Sequence, residues 1–490
     1  MSDFLELLHN NGIRIDDPRL VLDWDKNKKI DERGFEKISF AEFKRIAQKS
    51  QGNIIKDAIQ GNFIIPDFQS FSKEVENIFE ETKNIRDGKV ATYIPQLSRV
   101  NPEFFAVSIC TIDGQRASYG LFSEPFCIQS VCKPLNYAII LEELGEEKVH
   151  KHIGREPSGI GFNGLVLNKD GLPHNPMINA GAIMACSLLR PQLDMADRFD
   201  HVINTWKRLS GGKAISFNNS VYLSERETAD RNFALGYFMK ERKAFPENTN
   251  LINTLEFYFQ CCSIETNTEA LAIAAGTLAN AGICPTTGEK IFNPDTVKSC
   301  LSLMLSCGMY DFSGEWAFSI GLPAKSGVAG GLMVVIPNLM GICIWSPRLD
   351  ELGNSVRGVE FCKQLVKEFN FHNYDSLTKN NPKVDPRKRK NESKIDSIIS
   401  LCWAASDGDL TQVQQLVARG INFNEADYDG RTALHLAASE GHLKVIEYLI
   451  GVGVKLNPID RWGNTPLDDA KNAGHQGVVN TLSKAIAALN

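Results

Sequence analysis

Ser130 and Lys133 stand three residues apart in Cys127-Ile-Gln-Ser-Val-Cys-Lys-Pro134, just ahead of the apolar run Leu135–Leu144. A serine hydroxyl is a poor nucleophile until a base takes its proton. A free lysine, with a pKa near ~10.4, is protonated at neutral pH and cannot be that base. Burial and a neighbouring cation both lower it. The apolar run supplies burial, and Lys325, in Lys325-Ser-Gly327, is the candidate cation. On a helix, i and i+3 share one face. Pro134 is tolerated only near a helix start, which puts Ser130 at or near the N-terminus. There the helix dipole favours developing negative charge. The bland alternative is two polar residues opening a helix.

Ser-x-x-Lys alone is weak, because it also occurs at Ser70/Lys73, Ser210/Lys213 and Ser376/Lys379. Only Ser130 precedes a long apolar helical run. The second element adds weight. Acyl-serine enzymes of the penicillin-recognising type combine Ser-x-x-Lys with a later Lys-Thr/Ser-Gly on an edge strand. Tyr310, in Ser306-Cys-Gly-Met-Tyr310, is a candidate proton relay. The backbone N–H groups of Ser130 and Val328 are candidates for an oxyanion hole.

These residues need a scaffold. Phe104–Ile112 reads as a strand, Asp113-Gly114 as a hairpin turn, and Gln115–Gly120 as the return. Gly331–Ile336, Pro337-Asn338 and Met340–Trp345 repeat the pattern near the other end. Between them lie helical stretches Ser130–Glu143, Met177–Leu189 and Thr268–Ala281, the last two rich in Ala and Gly. Strands flanking helices predict an α+β domain whose antiparallel sheet comes from both ends of the segment.

The 490-residue length predicts two or three domains. Residues 1–74 read as an all-α module. Within it Asp23, Asp25, Asn27 and Asp31 fall at EF-hand ligand positions, but Lys28 replaces the turn glycine and Gly34 the bidentate glutamate. An EF-hand-like module without metal is expected. Residues 75–381 form the catalytic domain and 382–394 a charged linker with two prolines. Residues 395–490 carry a 33-residue repeat: Gly408, Gly441 and Gly474, with Asp429-Gly-Arg-Thr-Ala-Leu-His435 and Gly463-Asn-Thr-Pro-Leu467. That period and helix–turn–helix character predict ankyrin repeats, a surface for a partner of unknown identity or a structural appendage.

Composition excludes several classes. A net charge of −6 gives no overall drive toward nucleic acid or anionic membrane. No apolar run is long enough to span a bilayer. Twelve scattered cysteines without a C-x-x-C pair argue for reduced buried thiols and against structural zinc. The start, MSDFLELLHNNG, lacks the marks of a secretory signal or a mitochondrial presequence. A cytosolic location is expected if the chain is full length.

Over residues ~85–375 the sequence resembles the glutaminase family. The resemblance rests on Tyr93-Ile-Pro-Gln-Leu97, Gln129-Ser-Val-Cys-Lys-Pro134, His174-Asn-Pro-Met-Ile-Asn-Ala-Gly-Ala182, Ser224-Glu-Arg-Glu227, Asp230-Arg-Asn-Phe233, Cys307-Gly-Met-Tyr-Asp311 and Gly321-Leu-Pro-Ala-Lys-Ser-Gly-Val-Ala-Gly-Gly331. With its helical front and ankyrin tail, the whole chain resembles the animal phosphate-activated, kidney- and liver-type members. The resemblance implies a β-lactamase-like fold and hydrolysis of L-glutamine to L-glutamate and ammonia. It implies Ser130 as acylated nucleophile, Lys133 as its base, Tyr310 in proton transfer and Tyr93 close to the nucleophile. It also implies Asn179, Glu225, Asn232 and Tyr258 at the amino-acid end of glutamine, and Val328 in the oxyanion hole. Without the resemblance, Asn179 reads as a helix cap, Glu225 as a solvated charge, and Tyr258 and Tyr310 as core.

The resemblance further implies a mitochondrial location, a homotetramer with filament assembly, no organic cofactor or metal, and inorganic phosphate as an activator. The regulatory loop falls near Glu156–Pro173, where kidney-type members carry two basic residues. Here Gly161 and Gly164 stand instead, beside Phe162, Leu165, Val166 and Leu167. Altered phosphate and assembly dependence is expected. Two rival readings remain: a penicillin-binding or β-lactamase-like hydrolase, and a non-catalytic ankyrin scaffold.

Overall fold

A five-stranded antiparallel sheet, in the order β2-β1-β8-β7-β6, organises the first of two compact units. In the computed structural model, the described residues are 2–21, 40–50, 54–159, 164–213, 215–377, 383–388, 390–418 and 421–488. The units comprise Met1–Asn373 and Tyr374–Asn490. The strands are β1 (Ala106–Thr111), β2 (Arg116–Gly120), β3 (Phe126–Cys127), β4 (Ser216–Phe217), β5 (Ile264–Thr266), β6 (Ala324–Ser326), β7 (Gly331–Ile336) and β8 (Met340–Trp345). The predicted hairpins form, and β1 then pairs with β8 from Ala106↔Trp345 to Thr111↔Met340. The sheet is therefore closed by the two ends of the segment. A small second sheet runs β3-β5-β4.

Both faces of the large sheet are covered, so its central strands are apolar throughout rather than alternating. Ala106, Cys110, Cys343 and Trp345 face a helical core on one side. Val107, Ile109, Ile342 and Ile344 face the other. The helix Thr268–Ala279, buried along its length except at Glu269, lies on the first face. Its Gly276 meets Gly341 of β8 so closely that a Cβ on Gly341 would sit 2.1 Å from the Gly276 nitrogen. The second face takes the helices Phe68–Thr82 and Val356–Glu368.

The helix Phe68–Thr82 corrects the expected boundary between residues 74 and 75, which falls inside it. Phe68, Phe71, Val75, Ile78 and Phe79 recur at helical spacing and pack into the catalytic core. Each such side chain stabilises by about 1.5–3 kcal/mol when buried. The front segment also covers the β2 edge, where the Arg116 amide donates to Gly12 O at 2.7 Å. Helices at Ser2–Asn10, Phe40–Lys49 and Ile54–Gln60 share a small core of their own. The EF-hand-like loop at Asp23–Asp31 lies outside the described residues.

In the second unit, helices pair as Lys390–Ser406 with Leu410–Ala418, Ala433–Ser439 with Leu443–Gly451, and Pro466–Asn472 with Gln476–Ala487. The first corrects the linker, which was expected to run to residue 394 but turns helical at Lys390. The repeat period has a physical use. His442 Nε2 donates to Ser406 O at 2.7 Å, and its counterpart His475 donates to Ser439 O at 3.0 Å. His435 sits near Asp460 and Asp469. Its Nδ1 accepts from the Thr432 amide, leaving the Nε2 proton for Asn464 O. It is a strap between repeats. Among the described residues, no helix is long and apolar enough to cross a membrane. All twelve cysteines are buried and unbridged.

Candidate active site

The chain enters the site through one strained turn. After β3, Gln129 adopts φ +49°, a left-handed conformation rare for a side chain of this size. A 3-10 turn, Gln129–Val131, then runs directly into the helix Cys132–Leu144. Ser130 therefore sits in the turn before the helix proper, and Pro134 lies in its first turn as expected. Cys132 to Leu141 are all buried, which places Lys133 in an apolar wall at 1% exposure.

Burial pushes the Lys133 amine down to about 8. Its Nζ donates to Asn179 Oδ1 at 2.6 Å, and Asn179 Nδ2 donates to Asn232 Oδ1 at 3.1 Å. Asn179 is the first residue of the helix Asn179–Leu188, yet its side chain serves the base rather than capping that helix. An amine that spends an N–H on Asn179 keeps its lone pair for a proton from elsewhere. Tyr310 is buried beside Ser130, and burial raises the pKa of its phenol against the pull of that hydroxyl.

Lys325, on β6, is fully buried and held well below the usual lysine range, first by burial and then by Lys133. Its Nζ donates to Ser326 O at 2.7 Å and lies 4.5 Å from the centre of the Tyr310 ring. The expected division of labour is thus altered. Burial is the first cause on Lys133, and the repulsion between the two amines is felt at Lys325. Tyr310 opens the 3-10 turn Tyr310–Phe312 with φ +53°, a second strained residue in the same site.

The other candidates surround this pair. Glu225, on the helix Asn219–Glu227, is buried, and burial raises its pKa against the pull of two donors. Those donors are Tyr93 OH at 2.5 Å and Gln129 Nε2 at 3.0 Å. Tyr93 is 46% exposed but turns its hydroxyl inward. Tyr258, on the helix Leu251–Cys262, is 4% exposed and within electrostatic reach of Glu225 and Cys132. Val328 follows β6. Among the described residues its amide donates to no protein acceptor. Gly327 makes this approach feasible, since a Cβ there would lie 2.7 Å from Ile128 O. A cavity of about 430 Å³ opens against Tyr310, between Ser158, Asn175, Met177 and Gly314.

One residue was missed. Gln129 ties the nucleophile turn to Glu225 and accepts from Tyr93 OH at 3.3 Å. Its signals in the sequence were its polarity between Ile128 and Val131 and its place at the head of the motif Gln129–Pro134, neither of which gave it a role. In the Glu156–Pro173 loop, Gly161 and Phe162 lie outside the described residues. Its base is fastened by Gly154 N to Pro173 O at 2.8 Å and Glu156 N to His174 O at 3.0 Å.

Comparison with known proteins adds the family. The glutaminase family model matches residues 88–374. The chain belongs to the glutaminase family. The ankyrin-repeat model, three copies, matches residues 401–490. The chain is 45% identical to the mitochondrial liver isoform glutaminase of Rattus norvegicus, over 86% of this chain and 70% of that one. It is 41% identical to a glutaminase of Nostoc sp., over 62% of this chain and 90% of that one. The solved structure of Mglu in its tris and glutamate form matches with a TM-score of 0.58 and 33% identity, covering 61% of this chain and 67% of that one. The glutaminase domain thus has the fold that its solved relatives share, followed by ankyrin repeats.

Proposed function

We propose that this glutaminase hydrolyses L-glutamine to L-glutamate and ammonia through an ester on Ser130. The observation that carries the reading is that Ser130, in a buried turn, runs directly into the helix that buries the low-pKa amine of Lys133, with the buried Tyr310 phenol beside Ser130. Lys133 takes the Ser130 proton as Oγ attacks the side-chain amide carbon. The new oxyanion is held by the Ser130 and Val328 amides. The proton passes through Tyr310 to the leaving nitrogen, the C–N bond breaks and ammonia departs. Water then cleaves the ester, returning the proton to Ser130 and releasing glutamate. The buried Glu225 carboxylate pairs with the α-ammonium of glutamine, and Asn179, Asn232 and Tyr258 hold its α-carboxylate. No step requires a metal or an organic cofactor.

Ammonia release decides the matter. Wild type should hydrolyse glutamine and Ser130→Ala should not; cleavage of a chromogenic cephalosporin instead would favour the penicillin-recognising alternative. Retained glutamine hydrolysis in Ser130→Ala would sink the mechanism.

We infer further properties from the relatives. A homotetramer, with filament assembly, is the expected state, to be read by light scattering. The mitochondrion is the expected compartment, because the rat relative is described as mitochondrial; fractionation tests it. Inorganic phosphate acts as an activator whose effect is altered by the glycines in the Glu156–Pro173 loop. A phosphate titration matching the kidney-type pattern would contradict that last point.

A further inference from the structure

We propose that Ser313 is a positioning residue that holds Tyr310 in its reactive pose; the inference rests on the role given to Tyr310 above. Tyr310 keeps φ +53°, which an aromatic residue does not adopt unaided. Something must hold the backbone on both sides of it. Ser313 does so with one atom. Its Oγ accepts from the Met309 amide at 3.0 Å and donates to Tyr310 O at 2.7 Å.

The bland alternative is a helix-start serine serving its own helix. Ser313 opens the helix Ser313–Ser319 just past its N-cap, Phe312, where a hydroxyl can serve the helix's own free amides. That helix has no side-chain cap. The hydroxyl turns backward instead and spends both bonds on the tyrosine turn. Ser313 is 6% exposed, so water does not readily replace it. The neighbours complete the seat. Asn354 Nδ2 reaches Met309 O at 3.4 Å, and the Gly353 backbone lies beside the ring, where a Cβ would make ordinary contact at 3.7 Å from Tyr310 Cε2. Lys325 covers the ring at 4.5 Å. Ser313 touches no reacting atom. It acts through Tyr310.

The test uses the full chain and steady-state ammonia release from glutamine. Ser313→Ala should lower kcat at least tenfold with KM changed less than about threefold. Ser313→Thr, which keeps an Oγ, should restore kcat to within about threefold of wild type. Ser313→Cys, a weaker donor and acceptor, should fall between them; this ranking decides the matter if the alanine variant is insoluble. In a Tyr310→Phe background, Ser313→Ala should cost less than about twofold more. An equal cost in both backgrounds, or no ranking across Ser, Thr, Cys and Ala, overturns the inference alone. A Tyr310→Phe enzyme as fast as wild type overturns the role of Tyr310 itself, and the inference with it.

Discussion

Two lysines are buried in one site and repel each other, so they cannot both keep a proton without cost. Lys133, lowered to about 8, is the one beside the nucleophile. Its sign is simple: below that value it is an ammonium and cannot accept the Ser130 proton. The kcat/KM for glutamine should therefore rise with pH and level off above about 8, checked by a pH–rate profile. Lys133→Ala should lower kcat by about 10²–10⁴-fold across that range. Glu225 carries the opposite task, holding a charge where water is scarce. Glu225→Gln should weaken glutamine binding by about 2–5 kcal/mol, read in KM, because an α-ammonium would lose its buried partner. At this scale the sequence named Ser130 and Lys133 from their spacing together with the apolar run that follows, and Lys325 from its Lys-Ser-Gly motif. The substrate-side residues were legible only through the family motifs. Gln129 escaped because its left-handed backbone and its bond to Glu225 are imposed by tertiary contacts.

Elements meet in this site with little tolerance. The β6 edge and the nucleophile turn approach only because residue 327 has no Cβ. Gly327→Ala should separate the Ser130 and Val328 amides and lower kcat by roughly 10²-fold, as loss of one oxyanion donor does elsewhere; single-turnover kinetics would show it. The strands and the buried helices were readable, since apolar runs and turn signals agree with the final sheet. The boundary at residue 74 was not. Periodicity shows that Phe71, Val75 and Ile78 share a helix face, but not which core receives that face. The linker misled for a similar reason. Its charges and prolines argued for a connector, while the helix from Lys390 belongs to the first repeat.

At the scale of the whole molecule, the two units carry separate cores. Leu449 is fully buried in the repeat core. Leu449→Ala should destabilise the repeats by about 2–5 kcal/mol, seen as a lower calorimetric midpoint for that unit. The catalytic sheet has a consequence for synthesis. β1 is paired on one side by β2, its immediate neighbour in sequence, and on the other by β8. About 230 residues separate Thr111 from Met340. At ~5–20 residues per second, a ribosome needs roughly 10–50 s to deliver the second partner. For that interval the nascent hairpin presents an apolar, unpaired edge, which makes it a natural client for holding chaperones until the last hairpin emerges.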